Sequence, residues 1–236
     1  MKKKALIAIV IVVAIASIAY IMYTGGGALP SQPLVYEDLT TYNHNGEPSG
    51  STPYLSMIGN DTIQITDMPR LATCYFQRPI NIVLNDFTME FNVTASELQG
   101  NTGDNDSSGG FMAVMFAKNL TTTNNYLSQI KNDGLLFTFR EWTGYQYETY
   151  YLLQIRSRSS GQWKEYIGAL NTNYHIMISR VGTEATMKIY QNNNLVATKT
   201  ITDTTEINYF LPMCGRGGGG ADLMQASGFV SQFAFT

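Results

Sequence analysis

Asp133 to Tyr166 reads DGLLFTFREWTGYQYETYYLLQIRSRSSGQWKEY and holds both tryptophans and five of the fifteen tyrosines of the chain. Apolar side chains recur at alternate positions in LLFTF and again in YYLLQI, and polar or glycine-containing breaks separate these runs from each other and from QWKEY. A period of two is that of a strand with one face buried, so the stretch predicts three short strands joined by polar turns. In the second strand Tyr151, Leu153 and Ile155 share one face, and Tyr150, Leu152, Gln154, Arg156 and Arg158 share the other. The first set is core. The second set, with Arg140, Trp142, Tyr145, Tyr147 and Trp163 on neighbouring strands or turns, puts ring faces beside guanidinium and amide groups. A sugar fits such a shelf, because its C–H face stacks on an aromatic ring while its hydroxyls bond to Arg and Gln. The candidate binding residues are therefore Arg140, Trp142, Gln154, Arg156, Arg158 and Trp163. For each taken singly the plainer alternative is an aromatic that packs the core or an arginine that is solvated.

Outward from this stretch the same pattern recurs. TIQITDM, INIVL, DFTMEFNV, GGFMAVMFAK, YHIMISRVG, ATMKIYQ, LVATKTI, NYFLPM and GFVSQFAFT all read as strands. In MEFNV, Met89, Phe91 and Val93 point one way and Glu90 and Asn92 the other; FMAVMFA is apolar on both faces and reads as a central strand. Asn132-Asp133-Gly134, Ser160-Gly161 and Asn192-Asn193-Asn194 supply the turns. After residue 23 no stretch carries a helical apolar stripe for three turns. Many short antiparallel strands at this spacing predict an all-β, two-sheet antiparallel jelly-roll sandwich over residues 34–236.

The succession DFTMEFNVTAS, GGFMAVMFAK, DGLLFTF, YYLLQIRSR, YHIMISRVGTEATMKIYQNNNLVATKT and GFVSQFAF resembles the concanavalin A-like lectin/glucanase superfamily, most nearly its laminin-G-like branch. The resemblance lies in strand order and apolar pattern. It implies a curved two-sheet jelly roll whose concave face or rim binds carbohydrate; fold alone does not fix function. Glucanases of the superfamily carry their carboxylates on one strand as E-x-D-x-x-E, so that nucleophile and acid stand about 5 Å apart. That pattern is missing here: Glu141 and Glu148 straddle a predicted turn and Glu165 is isolated. YLLQIRSR is no more than a faint echo of the strand that alginate-lyase relatives use.

Composition narrows the classes further. The net charge is -3, and with Lys2, Lys3 and Lys4 confined to the N-terminus the rest is more acidic still, which argues against nucleic acid as a partner. Two histidines, His44 and His175, leave little for a zinc or copper site or for Ser/His or Cys/His nucleophile chemistry. Asp104-x-Asp106-x-Ser108-Gly109 matches the first half of a calcium loop, but Met115 stands where an EF-hand needs a bidentate Glu; the readings are a lectin-style calcium loop or a solvated turn. Calcium is the one cofactor the sequence offers. Gly215 to Gly220 lacks the spacing of a phosphate loop. Cys74 and Cys214 are either one disulfide or two buried thiols. Asn60, Asn92, Asn105 and Asn119 head N-x-[ST] sequons, which bear glycans if the chain is exported in a host with the machinery.

Residues 1–23, MKKKALIAIVIVVAIASIAYIMY, place three lysines before an uncharged apolar run. From Ala5 to Tyr23 the run would extend about 28 Å as a helix, close to a bilayer core. Lysines on the near side only predict a transmembrane helix with the body outside. An uncleaved anchor, a cleaved signal peptide that leaves a secreted protein, and a prepilin-type leader cut between Ala5 and Leu6 are the three readings. Residues 24–33, TGGGALPSQP, read as a linker. The expected protein is a single-pass, surface-anchored, lectin-like module that binds carbohydrate without catalysis. The alternatives are a self-associating structural or adhesive surface protein (filament, envelope or viral coat) and a divergent glycan hydrolase or lyase.

Overall fold

The computed structural model describes residues 35–36, 43–47, 55–66, 73–79, 86–98, 111–118, 134–143, 149–216 and 226–235, all within the compact unit Val35–Thr236. The expected anchor, the linker, the Asp104–Gly109 loop and the INIVL run lie outside them. No helix among the described residues is long and apolar enough to cross a membrane.

The strands in chain order are β1 (Val35–Tyr36), β2 (Asn43–Glu47), β3 (Leu55–Ile58), β4 (Thr62–Ile65), β5 (Thr73–Pro79), β6 (Phe87–Leu98), β7 (Phe111–Ala117) and β8 (Gly134–Thr143). They continue with β9 (Thr149–Ser157), β10 (Trp163–Gly168), β11 (Tyr174–Val181), β12 (Glu184–Gln191), β13 (Asn194–Thr202), β14 (Tyr209–Arg216) and β15 (Ala226–Phe235). All pairings are antiparallel. One sheet runs β13-β12-β11-β6-β15-β4-β3, with β1 also on β15, and the other runs β10-β9-β8-β7-β14-β5-β2. This is the expected two-sheet sandwich. Sequence-adjacent hairpins build one flank of each sheet, and β14 and β15 return from the C-terminal end to pair in the two middles.

The core follows from alternation. In β6, Phe87, Met89, Phe91, Val93 and Ala95 are buried while the residues between them are only partly so. The second sheet answers with Phe116, Leu135, Phe137, Phe139, Leu153 and Ile155. Phe91 meets Phe137 edge-on at 5.1 Å and stacks on Phe233 at 5.4 Å, while Phe210 stacks on Phe116 at 5.2 Å. These offset and edge-to-face arrangements are the ones the ring quadrupoles favour.

Turn chemistry fixes register beside the core. Asn192 and Asn193 take φ of 51° and 63° between the paired residues Gln191 and Asn194, as a type I′ hairpin requires. The Asp133–Tyr166 stretch forms β8, β9 and the start of β10, as its pattern predicts. It lies at one flank of its sheet, with β10 as the edge strand. FMAVMFA, as β7, takes the central place.

Candidate functional site

Three adjacent strands bring four of the predicted residues, Arg140, Gln154, Arg156 and Trp163, to one face. Antiparallel register sets Leu136, Arg156 and Trp163 on one rung, Thr138, Gln154 and Glu165 on the next, and Arg140, Leu152 and Ile167 on a third. Their neighbours in sequence, Leu135, Phe137, Phe139, Leu153 and Ile155, belong to the core cluster, so these rungs face away from it. The face is recessed near β8 and β9: Leu136, Leu152 and Gln154 are buried, Gln154 at 3% exposure. It opens toward β10, where Trp163 is 54% and Ile167 61% exposed. Gln154 was expected on an open surface; it lies on the expected face, but covered.

The polar groups are partly linked. Gln154 Nε2 donates to Glu165 Oε2 at 3.3 Å, and Arg156 Cζ lies 5.7 Å from the centroid of the Trp163 ring, within cation–π range. Thr138 Oγ1 and Arg140 Nε are buried without a hydrogen-bond partner. Buried polar atoms are nearly always satisfied, so two orphans on one recessed face mark where a further polar group would be stabilised. Burial, offset in part by Glu165 and reinforced by Arg156, holds the Arg140 guanidinium below its ordinary value. Burial, then Arg156 and Arg140, lowers Arg158 to about 10. Three cations therefore share one electrostatic neighbourhood. Trp142 pairs with Tyr150 in the backbone register, beyond Arg140; its side chain is outside the description.

A buried polar knot holds the end of β9 next to this face. Asp203, fully buried, accepts at Oδ1 from Ser157 Oγ at 2.7 Å and from Thr205 Oγ1 at 2.6 Å. Arg180 Nη1 stands 3.1 Å from Asp203 Oδ2 and donates to the Thr205 carbonyl at 2.6 Å; Arg180 Nε donates to the Gly182 carbonyl. The Asp203 Oδ2 contact is an ion pair without hydrogen-bond alignment. The knot ties β9 of one sheet to β11 and the residues after β13 of the other. Sequence reading missed it. The signal was phase: Arg180 follows Ile176 and Ile178 at core positions, and Asp203 and Thr205 stand between Ile201 and Ile207 in the same alternation.

The remaining sequence candidates fall as follows. Glu141 pairs with Tyr151, in phase with the core-facing residues, whereas Glu165 pairs with Gln154 on the recessed face, so these two carboxylates do not share a face. Glu148 lies outside the described residues. Cys74 pairs with Gly215 and Cys214 with Tyr75, so the two cysteines occupy adjacent rungs of paired strands rather than opposite positions. Asn60 is exposed in the turn between β3 and β4. Asn92 Nδ2 donates to Gln232 Oε1 at 2.6 Å and its Oδ1 meets His175 Nδ1 at 3.2 Å, so its amide is already engaged. Asn105 and Asn119 are outside the description, as are Asp104, Asp106 and Ser108. Among the described residues no group of three His, Cys, Asp or Glu side chains converges as a metal site would need.

No protein-family profile and no curated protein matches the sequence. Solved structures do match by shape. The chain is similar to basic winged bean lectin with Tn-antigen (TM-score 0.58, 10% identity, 86% of this chain and 98% of that one). It is similar to the lectin UEA-II complexed with galactose (0.54, 12%, covering 84% and 92%) and to the Emp47p carbohydrate recognition domain (0.54, 12%, covering 87% and 97%). The fold is that of the concanavalin A-like lectins. At these identities the likeness establishes architecture; the recessed face is argued from this chain's own residues.

Proposed function

We propose that this chain is a carbohydrate-binding module that holds sugars on the outer face of β8, β9 and β10 without turning them over. The observation that carries this reading is the juxtaposition of Trp163, with Arg156 against its ring, and the orphaned polar atoms of Thr138 and Arg140 on one recessed face. The exposed indole offers a surface for a sugar's C–H face, and Arg140, Arg156 and Arg158 offer donors to its oxygens, whereas Gln154 is covered and spends its amide on Glu165. Lectins of the same fold hold galactose and the Tn-antigen, which supports the ligand class. The lysine-led apolar run at residues 1–23 gives the module an anchor and an extracytoplasmic position. Calcium is an accessory in this reading: the VIP36 domain of this fold was solved Ca2+/Man-bound, and Asp104, Asp106 and Ser108 are the residues proposed to hold it. No step of sugar binding is routed through the metal. A glycan array probed with the full chain in detergent, with and without calcium, tests the proposal; no binding in either condition would sink it.

One observation favours self-association as a second reading. Trp163 and Ile167 on edge strand β10, and Leu195 and Val196 on edge strand β13, are exposed apolar residues, and β10 and β13 approach one another across the sandwich. Exposed apolar edges are places where copies pair. Sedimentation velocity over a hundredfold concentration range separates a monomeric lectin from an assembling surface protein.

A further inference from the structure

We infer that Asn60, at the tip of the β3–β4 hairpin, carries an N-linked glycan and that Asn92, the other sequon among the described residues, does not; the inference rests on the extracytoplasmic position proposed above. Asn60-Asp61-Thr62 and Asn92-Val93-Thr94 both satisfy N-x-[ST], so sequence alone treats them alike. The fold does not. β3 ends at Ile58 and β4 begins at Thr62, which leaves Asn60 in the middle of a three-residue turn whose Gly59 takes φ of 67°. Asn60 is exposed, and its amide makes no hydrogen bond to a described residue. The turn around it is fixed: the Asp61 carbonyl accepts from the Gln232 amide at 3.0 Å, and Thr62 Oγ1 donates to Asp61 Oδ1 at 2.9 Å. In the transfer, Asn60 Nδ2 attacks C1 of an oligosaccharyl pyrophosphate carried on a membrane lipid. The C1–N bond forms, the C1–O bond to phosphate breaks, the lipid pyrophosphate leaves with that electron pair, and Nδ2 gives up one proton to a base of the transferase. An exposed, bent segment can bring its Asn amide and the hydroxyl two residues on into one active site.

Asn92 stands in the opposite situation. Its sequon runs extended inside β6, paired with β11 on one side and β15 on the other. Val93 is 1% exposed, Asn92 Nδ2 donates to Gln232 Oε1 at 2.6 Å, and Thr94 Oγ1 donates to Asn173 Oδ1 at 3.2 Å. All three residues are engaged by the sheet. A glycan attached there before folding would crowd the contacts of Asn92 with Gln232 and His175. Placement also decides what a glycan on Asn60 does. β3 is the edge of its sheet at the end opposite β13, and β13 is the edge that approaches β10, so the glycan stands on the flank away from Trp163 and leaves the β8–β10 face open. Ile58, 49% exposed, is the register partner of Thr62. A glycan two residues along the chain covers this apolar residue, and a covered edge strand is kept from pairing with another copy.

Translation of the full chain with microsomes that supply the transferase and the lipid-linked donor tests this, with Asn105→Gln and Asn119→Gln introduced so that only Asn60 and Asn92 report. Added protease shows separately whether the body of the chain lies inside the lumen. The expected result is a protected body bearing one glycan, which peptide N-glycosidase releases and glycopeptide mass spectrometry maps to Asn60. Asn60→Gln should remove that glycan and Asn92→Gln should leave it. Native electrophoresis in detergent should show more self-association once the glycan is released; equal association contradicts the covering of Ile58. A protected body with Asn60 unmodified, or with Asn92 modified as fully as Asn60, overturns the inference and leaves the extracytoplasmic position standing. A body open to protease overturns both.

Discussion

Ser157 Oγ donates to Asp203 Oδ1 across 2.7 Å, and that bond crosses from one sheet of the sandwich to the other. Ser157 ends β9 and directly precedes Arg158, so the bond fixes where the cationic face begins. With Arg180 on its other oxygen, Asp203 joins three strand ends through one carboxylate. Removing either charge should therefore cost more than removing a surface pair. Arg180→Met leaves a buried carboxylate without its cation and is expected to destabilise by about 3–5 kcal/mol. Arg180→Met combined with Asp203→Asn should recover part of that loss, since no uncompensated charge remains while Ser157 and Thr205 keep an acceptor. Urea unfolding of the single and double variants checks the order.

Gly168 marks a close approach. A Cβ built there would stand 2.2 Å from Leu153 Cδ1 and 3.3 Å from the Tyr174 hydroxyl, which itself accepts from the Ala169 amide at 2.9 Å. Leu153 is fully buried, so it has little room to yield. Gly168→Ala should destabilise by about 1–3 kcal/mol through overpacking, with the loss visible as a lower melting temperature.

Trp163 separates binding from folding. Because it is 54% exposed on an edge strand, Trp163→Ala should leave the melting temperature within a degree or two. It should weaken sugar affinity about three- to tenfold, the worth of one stacking contact. Tryptophan fluorescence of the wild-type chain, titrated with the same sugar, should respond.

Much of this architecture is legible in the sequence, and the exceptions have physical causes. DFTMEFNV declares its faces because β6 is buried on one side and polar on the other. Strands β2, β3 and β5 were not read as strands from NHNGE, LSMI and TCYFQRP, whose pattern is short or mixed. The partition of β9 into a core face and an opposite face bearing Gln154 and Arg156 was readable from period two, but the burial of Gln154 was not, because cover over a sheet comes from residues distant in sequence. Arg180 and Asp203 were passed over as ordinary charges. Their phase with Ile178 and Ile201 was visible, yet only the folded sandwich shows that they meet.

Hydrogen–deuterium exchange with and without bound oligosaccharide tests the central claim most directly, since it locates the sugar on the sheet. The account predicts slowed exchange confined to peptides covering residues 136–142, 150–158 and 163–167. Protection elsewhere would contradict it, in particular at the shallow pocket of about 480 Å³ formed by Gln64, Thr66, Ser96, Glu97 and Phe229 on the other sheet.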